Sequence, residues 1–125
     1  AGELRMLSPR QLARLGEIRR GGVPKAQLEV VLAQHHESVA WSDMYASVRT
    51  VYCKGGGIPQ GCVRLENVGR EGHTYLHHIV THYDDLADWT VFSQAGEPSV
   101  GYRGHRRGGG HMLPGVSFHD YVLRE

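Results

Sequence analysis

The sequence predicts an α/β domain built on a parallel or mixed sheet. Three observations predict it. Helix-like and strand-like stretches alternate along the chain, in the order helix, strand, helix, strand, helix, strand. A short apolar run at residues 28–33 (LEVVLA) reads as a strand covered on both faces. A helical pattern from about residue 70 leads through a short acidic loop into the third strand, WTVF, at residues 89–92.

The elements follow in order. Ser8 is a good N-cap, Pro9 suits the first helical position and Gln11 completes a capping box. Leu7 and Leu12 occupy the hydrophobic-staple positions, and Leu12, Leu15 and Ile18 form a thin apolar stripe among arginines. Gly21 and Gly22 stop this helix. Residues 1–25 are read as an N-terminal basic helix and linker, and residues 26–125 as the α/β domain. After the strand at 28–33, Ser38 is expected to cap a short helix through Trp41 and Met44. Residues 48–53 read as a second strand, 54–61 as a glycine-rich loop and 63–65 as a short strand or extended lead-in. In the central helix Tyr75, Leu76, Ile79, Val80 and Tyr83 mark one apolar face at 3.6 residues per turn. Asp84 and Asp85 break it. The tail shows no periodicity until residues 116–123, where a short helix or strand is expected.

At 125 residues the chain is long enough to bury a core. Fourteen basic against 13 acidic residues leave a net charge of +1, which gives no reason to expect nucleic acid or an anionic membrane as partner. No apolar run approaches the roughly 18 residues of a membrane span. The compartment is not legible. Cys53 and Cys62 flank a glycine cluster and are read either as a small disulfide loop or as two free thiols.

In parallel sheets the ligand crevice lies beyond the carboxyl ends of the strands. That rule singles out His35, His36 and Glu37, then Lys54, then Ser93 and Gln94. The turn at residues 66–71 (ENVGRE) leads into a helix N-terminus, where unpaired N–H groups beside Arg70 make an anion site for a phosphate or diphosphate. The plainer alternative is that Asn67 and Gly69 only shape a turn, with Arg70 paired to Glu66 or Glu71. His73 and His77 are four apart, as are His78 and His82, a spacing that suits a metal. Neither pair has the glutamate of a zinc-protease helix, and each needs a third ligand from His105, His111, His119 or Asp120. The arginine- and histidine-bearing loop at residues 103–111 is read as a lid over an anionic ligand or as a solvated basic loop. Glu37, Glu71, Glu97 and Asp120 are the candidate general bases.

The run Val30-Val31-Leu32-Ala33 with Glu37 and Trp41, then Val51-Tyr52-Cys53-Lys54-Gly55, then Asn67-Val68-Gly69-Arg70-Glu71 with Tyr75-Leu76 and His78-Ile79, and finally Val91-Phe92-Ser93-Gln94, resembles a family of uncharacterised proteins from bacteria, fungi and algae. A second, more distant similarity is to nucleotide-sugar glycosyltransferases with a single Rossmann-like (glycosyltransferase-A-like) domain. That likeness implies Glu37 in the nucleotide pocket, Arg70 facing the diphosphate, and Gln94 at the end of the strand that usually carries a metal-binding Asp-x-Asp. Here the strand continues Ser93-Gln94-Ala95-Gly96-Glu97, so the aspartate pair is absent and a divalent cofactor is open. The chain is also short for a complete enzyme of that class.

Three readings follow. In the first, the domain transfers a sugar from a nucleotide-activated donor to a hydroxyl acceptor. Arg70, helped by Lys54 or Arg106, stabilises the leaving diphosphate, Glu71 or Asp120 takes the acceptor proton, and Glu37, Asn67 and Gln94 contact the donor. In the second, the fold serves as a non-catalytic subunit with a protein partner. In the third, a histidine metal site acts in hydrolysis.

Overall fold

A computed structural model of the chain describes residues 7–55, 61–98, 112–113 and 115–124. Helix α1 (Pro9–Arg19) is followed by strand β1 (Leu28–Gln34), a 3-10 helix (Ala40–Val48), strands β2 (Arg49–Cys53) and β3 (Val63–Arg64), helix α2 (Arg70–Thr81), strand β4 (Trp89–Gln94) and helix α3 (Phe118–Val122). The four strands form one sheet in the order β3-β2-β1-β4, and every pairing is parallel. The expected α/β class with a parallel sheet is the observed one.

The chain starts in the middle of the sheet. It steps outward from β1 to β2 and β3, then returns past β1 to β4 through α2. This reversal puts a topological switch point beyond the carboxyl ends of β1 and β4.

Alternation along β1 sorts the two faces. Leu28, Val30 and Leu32 join Leu15 and Ile18 of α1, Tyr45 and Val48 of the 3-10 helix, and Phe118, Val122 and Leu123 in one apolar core. Glu29, Val31 and Ala33 point the other way, toward α2. Helix α1 is therefore part of the same core. Its Ser8–Gln11 capping box forms as expected. The apolar staple does not: Leu12 is 48% exposed, and Gln11 is buried in its place. Gln11 Nε2 donates to Asp120 Oδ1 at 3.2 Å, so the stripe of α1 is completed by a polar bond to the start of α3.

Two more local readings change. The 3-10 helix is capped at Val39 without a side-chain bond, while Ser38 Oγ accepts from Ala40 N one residue earlier. Of the expected apolar face, Leu76 and Val80 on α2 and Tyr83 just beyond its end face out, at 64%, 73% and 75% exposed, Tyr75 and Ile79 are half-buried, and Thr74 and His78 are buried. The reason lies in the strands below. Tyr52 Oη bonds His78 Nδ1 at 2.6 Å, and Glu29 Oε2 accepts from Thr50 Oγ1 at 2.5 Å. A helix laid over such groups must present polar atoms to satisfy them.

Candidate functional site

The switch point holds a cavity of about 250 Å³. Ala33, Gln34, His35 and Glu37 line it from the end of β1, Lys54 from the end of β2, Gln94 from the end of β4, and Asn67, Arg70, Glu71 and Thr74 from the turn and first helical turn of α2. A second cavity of about 380 Å³ beside β4 is larger, but its walls are Trp89, Phe92, Pro98, Met112, Phe118 and other largely apolar residues. Only the first gathers charged groups of both signs around a helix N-terminus.

Local backbone chemistry builds the site. Gly55 lets the ends of β1 and β2 meet: a Cβ there would stand 2.0 Å from the His35 carbonyl oxygen. Gly69 precedes α2 with φ of 69°, and a Cβ there would lie 2.6 Å from His73 Cβ. Arg70 follows with φ of 53°, the one non-glycine residue with positive φ among the described residues. Such a conformation costs about 1–3 kcal/mol and persists where the surroundings enforce it. Lys54 supplies that enforcement, its Nζ donating to the carbonyls of Val68 and Arg70, each at 2.7 Å. The N-terminus of α2 has no side-chain cap, so its first N–H groups keep the anion-binding potential of a helix start.

The carboxylates are held differently. Glu37 Oε1 accepts from the N–H groups of His35 and His36 at 2.8 and 2.9 Å. Burial pushes its pKa up, but these bonds, that of its own N–H and the His36 charge outweigh it, and the net shift is down. Glu71 Oε1 accepts from Gln94 Nε2 at 2.7 Å, which joins α2 to the end of β4. Burial lowers the Lys54 ammonium pKa, against an opposing pull from Glu71. Behind the site, burial and then Glu71 push the Tyr75 hydroxyl up to about 12, so it stays protonated. Among the described residues no ion pair joins Arg70 to Glu66 or Glu71.

Of the residues singled out from sequence, Glu37, Lys54, Asn67, Arg70, Glu71 and Gln94 line this one cavity. Asp120 does not. Its Oδ2 accepts from Ser117 N at 2.9 Å and its Oδ1 from Gln11, so it is the capping-box carboxylate of α3 and not a candidate base. Arg106 and the rest of the basic loop lie outside the described residues. Glu97 is exposed after β4. Cys53 and Cys62 form a disulfide that closes the loop carrying Lys54.

Of the histidines, only His35 lines the cavity among the described residues. His78 is buried, with Nδ1 on Tyr52; its Nε2 lies 3.2 Å from Glu29 Oε1, off the line of a hydrogen bond. The His73 and His77 rings stand 6.3 Å apart, and no cluster of three metal-binding groups occurs among the described residues. His105 and His111, named above as third ligands, lie outside them. His119 is committed to Tyr45 through a short hydrogen bond.

Two residues of the cavity were not singled out from sequence. Gln34 ends the apolar run of β1, and Thr74 lies three and four residues beyond Glu71 and Arg70, one helical turn along the same face. Gln34 Oε1 and Thr74 Oγ1 are buried with no hydrogen-bond partner among the described residues.

No curated protein and no solved structure matches the chain. Residues 30–106 match the model of a family described as Protein of unknown function (DUF3431). The matched span takes in β1 from Val30 on, β2 to β4, α2 and every described residue lining the cavity, and leaves out α1 and Asp120. Because it covers more than half of the chain, this protein belongs to the DUF3431 family.

Proposed function

We propose that the switch-point cavity binds a ligand of the nucleotide-sugar type and that the domain transfers its sugar to a hydroxyl acceptor. One observation carries this reading. A single polar cavity joins the carboxyl ends of three parallel strands to an uncapped helix N-terminus bearing Arg70, with Glu71 beside it. An anion is favoured by the helix start and the guanidinium, and a carboxylate lies close by for proton transfer.

In this mechanism the bond between the sugar and the diphosphate breaks as the acceptor oxygen attacks. The electron pair leaves with the diphosphate, whose growing charge meets Arg70 and the N–H groups of α2. Glu71, oriented by Gln94, takes the acceptor proton. Lys54 acts through the backbone, fixing the Val68 and Arg70 carbonyls and so the arginine that follows the turn. At about 250 Å³ the cavity is smaller than the roughly 300–1,000 Å³ of sites that enclose a drug-sized ligand, so it takes one end of the donor and leaves the rest outside. Strand β4 runs into Gln94, Ala95, Gly96 and Glu97, a donor set that does not fit a resident divalent cation. The arginine and helix terminus carry the charge in its place.

A second reading, a non-catalytic subunit, is favoured by one observation. Leu76 and Val80 of α2 and Tyr83 just beyond its end form an exposed apolar stripe, the kind of face that meets a protein partner.

Thermal melting with Arg70→Gly separates the two. Glycine relieves the positive φ and should raise stability by about 1 kcal/mol. A nucleotide sugar at about 100 times its Kd should stabilise the wild type by roughly 2.7 kcal/mol and the variant far less. A cooperatively melting wild type that no nucleotide sugar or nucleoside diphosphate stabilises would leave only the subunit reading.

A further inference from the structure

The cavity contains two buried polar atoms that no described residue satisfies. Gln34 is 4% exposed and Thr74 fully buried. The large majority of buried polar side-chain atoms have a partner, so two orphans lining one small cavity call for a cause. The local bonding explains how they are kept open. Gln34 Nε2 donates to the Glu37 carbonyl at 2.7 Å, which fixes the amide and leaves Oε1 as a pure acceptor. A helical threonine usually returns its hydroxyl to the carbonyl four residues back. For Thr74 that carbonyl belongs to Arg70, and Lys54 Nζ already holds it at 2.7 Å.

The ligand chemistry follows from this inventory. Gln34 Oε1 needs an O–H or N–H donor. Thr74 Oγ1 takes either a donor or an acceptor. A saccharide ring, with hydroxyls that both donate and accept at neighbouring positions, satisfies both. A nucleobase fits less well: among the described residues the wall has no phenylalanine, tyrosine or tryptophan, and its one aromatic ring, the exposed His35, is bonded to His36 and meets that ring edge-on.

We propose that Gln34 and Thr74 form a sugar-reading floor: the saccharide of the ligand enters the cavity and hydrogen-bonds these two side chains, while its phosphate stays at the mouth with Arg70. This rests on the binding reading above and adds which end of the donor goes in and which residues select it. Both act in specificity by touching the sugar.

The test is calorimetric titration of the whole chain with pyrophosphate, UDP and the 1-phosphates of glucose, galactose and mannose. The variants are Thr74→Val, which replaces the hydroxyl by a methyl group, and Thr74→Ser, which restores it. The expected result is that at least one sugar 1-phosphate binds about tenfold more tightly than pyrophosphate, the worth of one good hydrogen bond. Thr74→Val should remove that advantage without weakening pyrophosphate, and Thr74→Ser should return it. Because valine also removes a buried orphan hydroxyl, Thr74→Val should melt no lower than the wild type, which separates lost recognition from lost folding. Equal binding of sugar phosphates and pyrophosphate would overturn the floor and leave the anion site standing. A Thr74-dependent advantage for UDP alone would put a nucleoside ring in the cavity and also overturn it. Binding of none of these probes would remove the anion site, and the floor with it.

Discussion

The two faces of the sheet are built from opposite materials. Under α1 and the 3-10 helix, Leu15, Ile18, Val30, Leu32 and Val48 make a closed apolar layer, with Tyr45 bonded to His119 inside it. Under α2, Glu29, Thr50 and Tyr52 meet Thr74 and His78. The first layer gains its stability from burial of apolar area. The second must match donors to acceptors, and at its upper end, where the strands stop, the matching fails at Gln34 and Thr74. The cavity opens at that point. The lesson is that the layer holding the fold and the layer holding the chemistry are separated by one sheet, so each can be perturbed alone.

The largest effect should come from the apolar layer. Leu32→Ala should cost about 3 kcal/mol, within the 2–5 kcal/mol usual for buried leucine, as measured by urea denaturation. A cost under about 1 kcal/mol would break the claim that this layer carries the stability.

His78 sharpens the contrast through pH. Burial lowers its pKa below the ordinary value of about 6.5, the nearby His82 and Lys25 act the same way, and Glu29 opposes them. The unfolded chain therefore protonates first as the pH falls. This contribution is fully present above about pH 6.5 and is lost as the pH drops toward the lower folded value. His78→Phe should cost about 1–3 kcal/mol at pH 7.5, because Tyr52 loses its partner. It should also flatten the decline below about pH 6.5. An unchanged slope in denaturation curves at several pH values would show that the buried imidazole is not its source.

The smallest effect belongs to the outward side of α2. Val80→Glu should change stability by no more than about 0.5 kcal/mol, as for surface positions generally. A loss above about 1.5 kcal/mol by urea denaturation would show that this stripe is covered within the domain.

Much of this was legible in the sequence, for identifiable reasons. The strand at residues 28–33 is apolar on both faces, and no other element type suits so short a run between turns. Ser8, Pro9 and Gln11 encode a helix start in three residues, and the start of α2 at Arg70 follows from the glycine before it. The carboxyl-end rule led from β1, β2 and β4 to Glu37, Lys54 and Gln94 before any coordinates, and they line one cavity. The orientation of α2 was not legible. Periodicity identifies an apolar face, but the sheet below mixes Val31, Ala33 and Phe92 with the polar Glu29, Thr50 and Tyr52, so Tyr75 packs on Phe92 while Leu76, Val80 and Tyr83 turn outward. Gln34 and Thr74 were missed because an unpaired buried atom is visible only when its neighbours' bonds are known. Asp120 was misread because its partners, Gln11 and Ser117, come together only in the folded chain or form a local cap. The Cys53–Cys62 pairing is seen only in the folded chain, and two cysteines in a sequence do not decide it.

The central claim is that the switch-point cavity is a ligand site. Backbone amide chemical-shift mapping during titration with a nucleotide sugar tests it most directly. The account predicts saturable shifts centred on Gln34, Lys54, Arg70, Glu71, Thr74 and Gln94, with the outward side of α2 and the apolar layer unchanged. Shifts confined to other surfaces, or none at millimolar ligand, would contradict it.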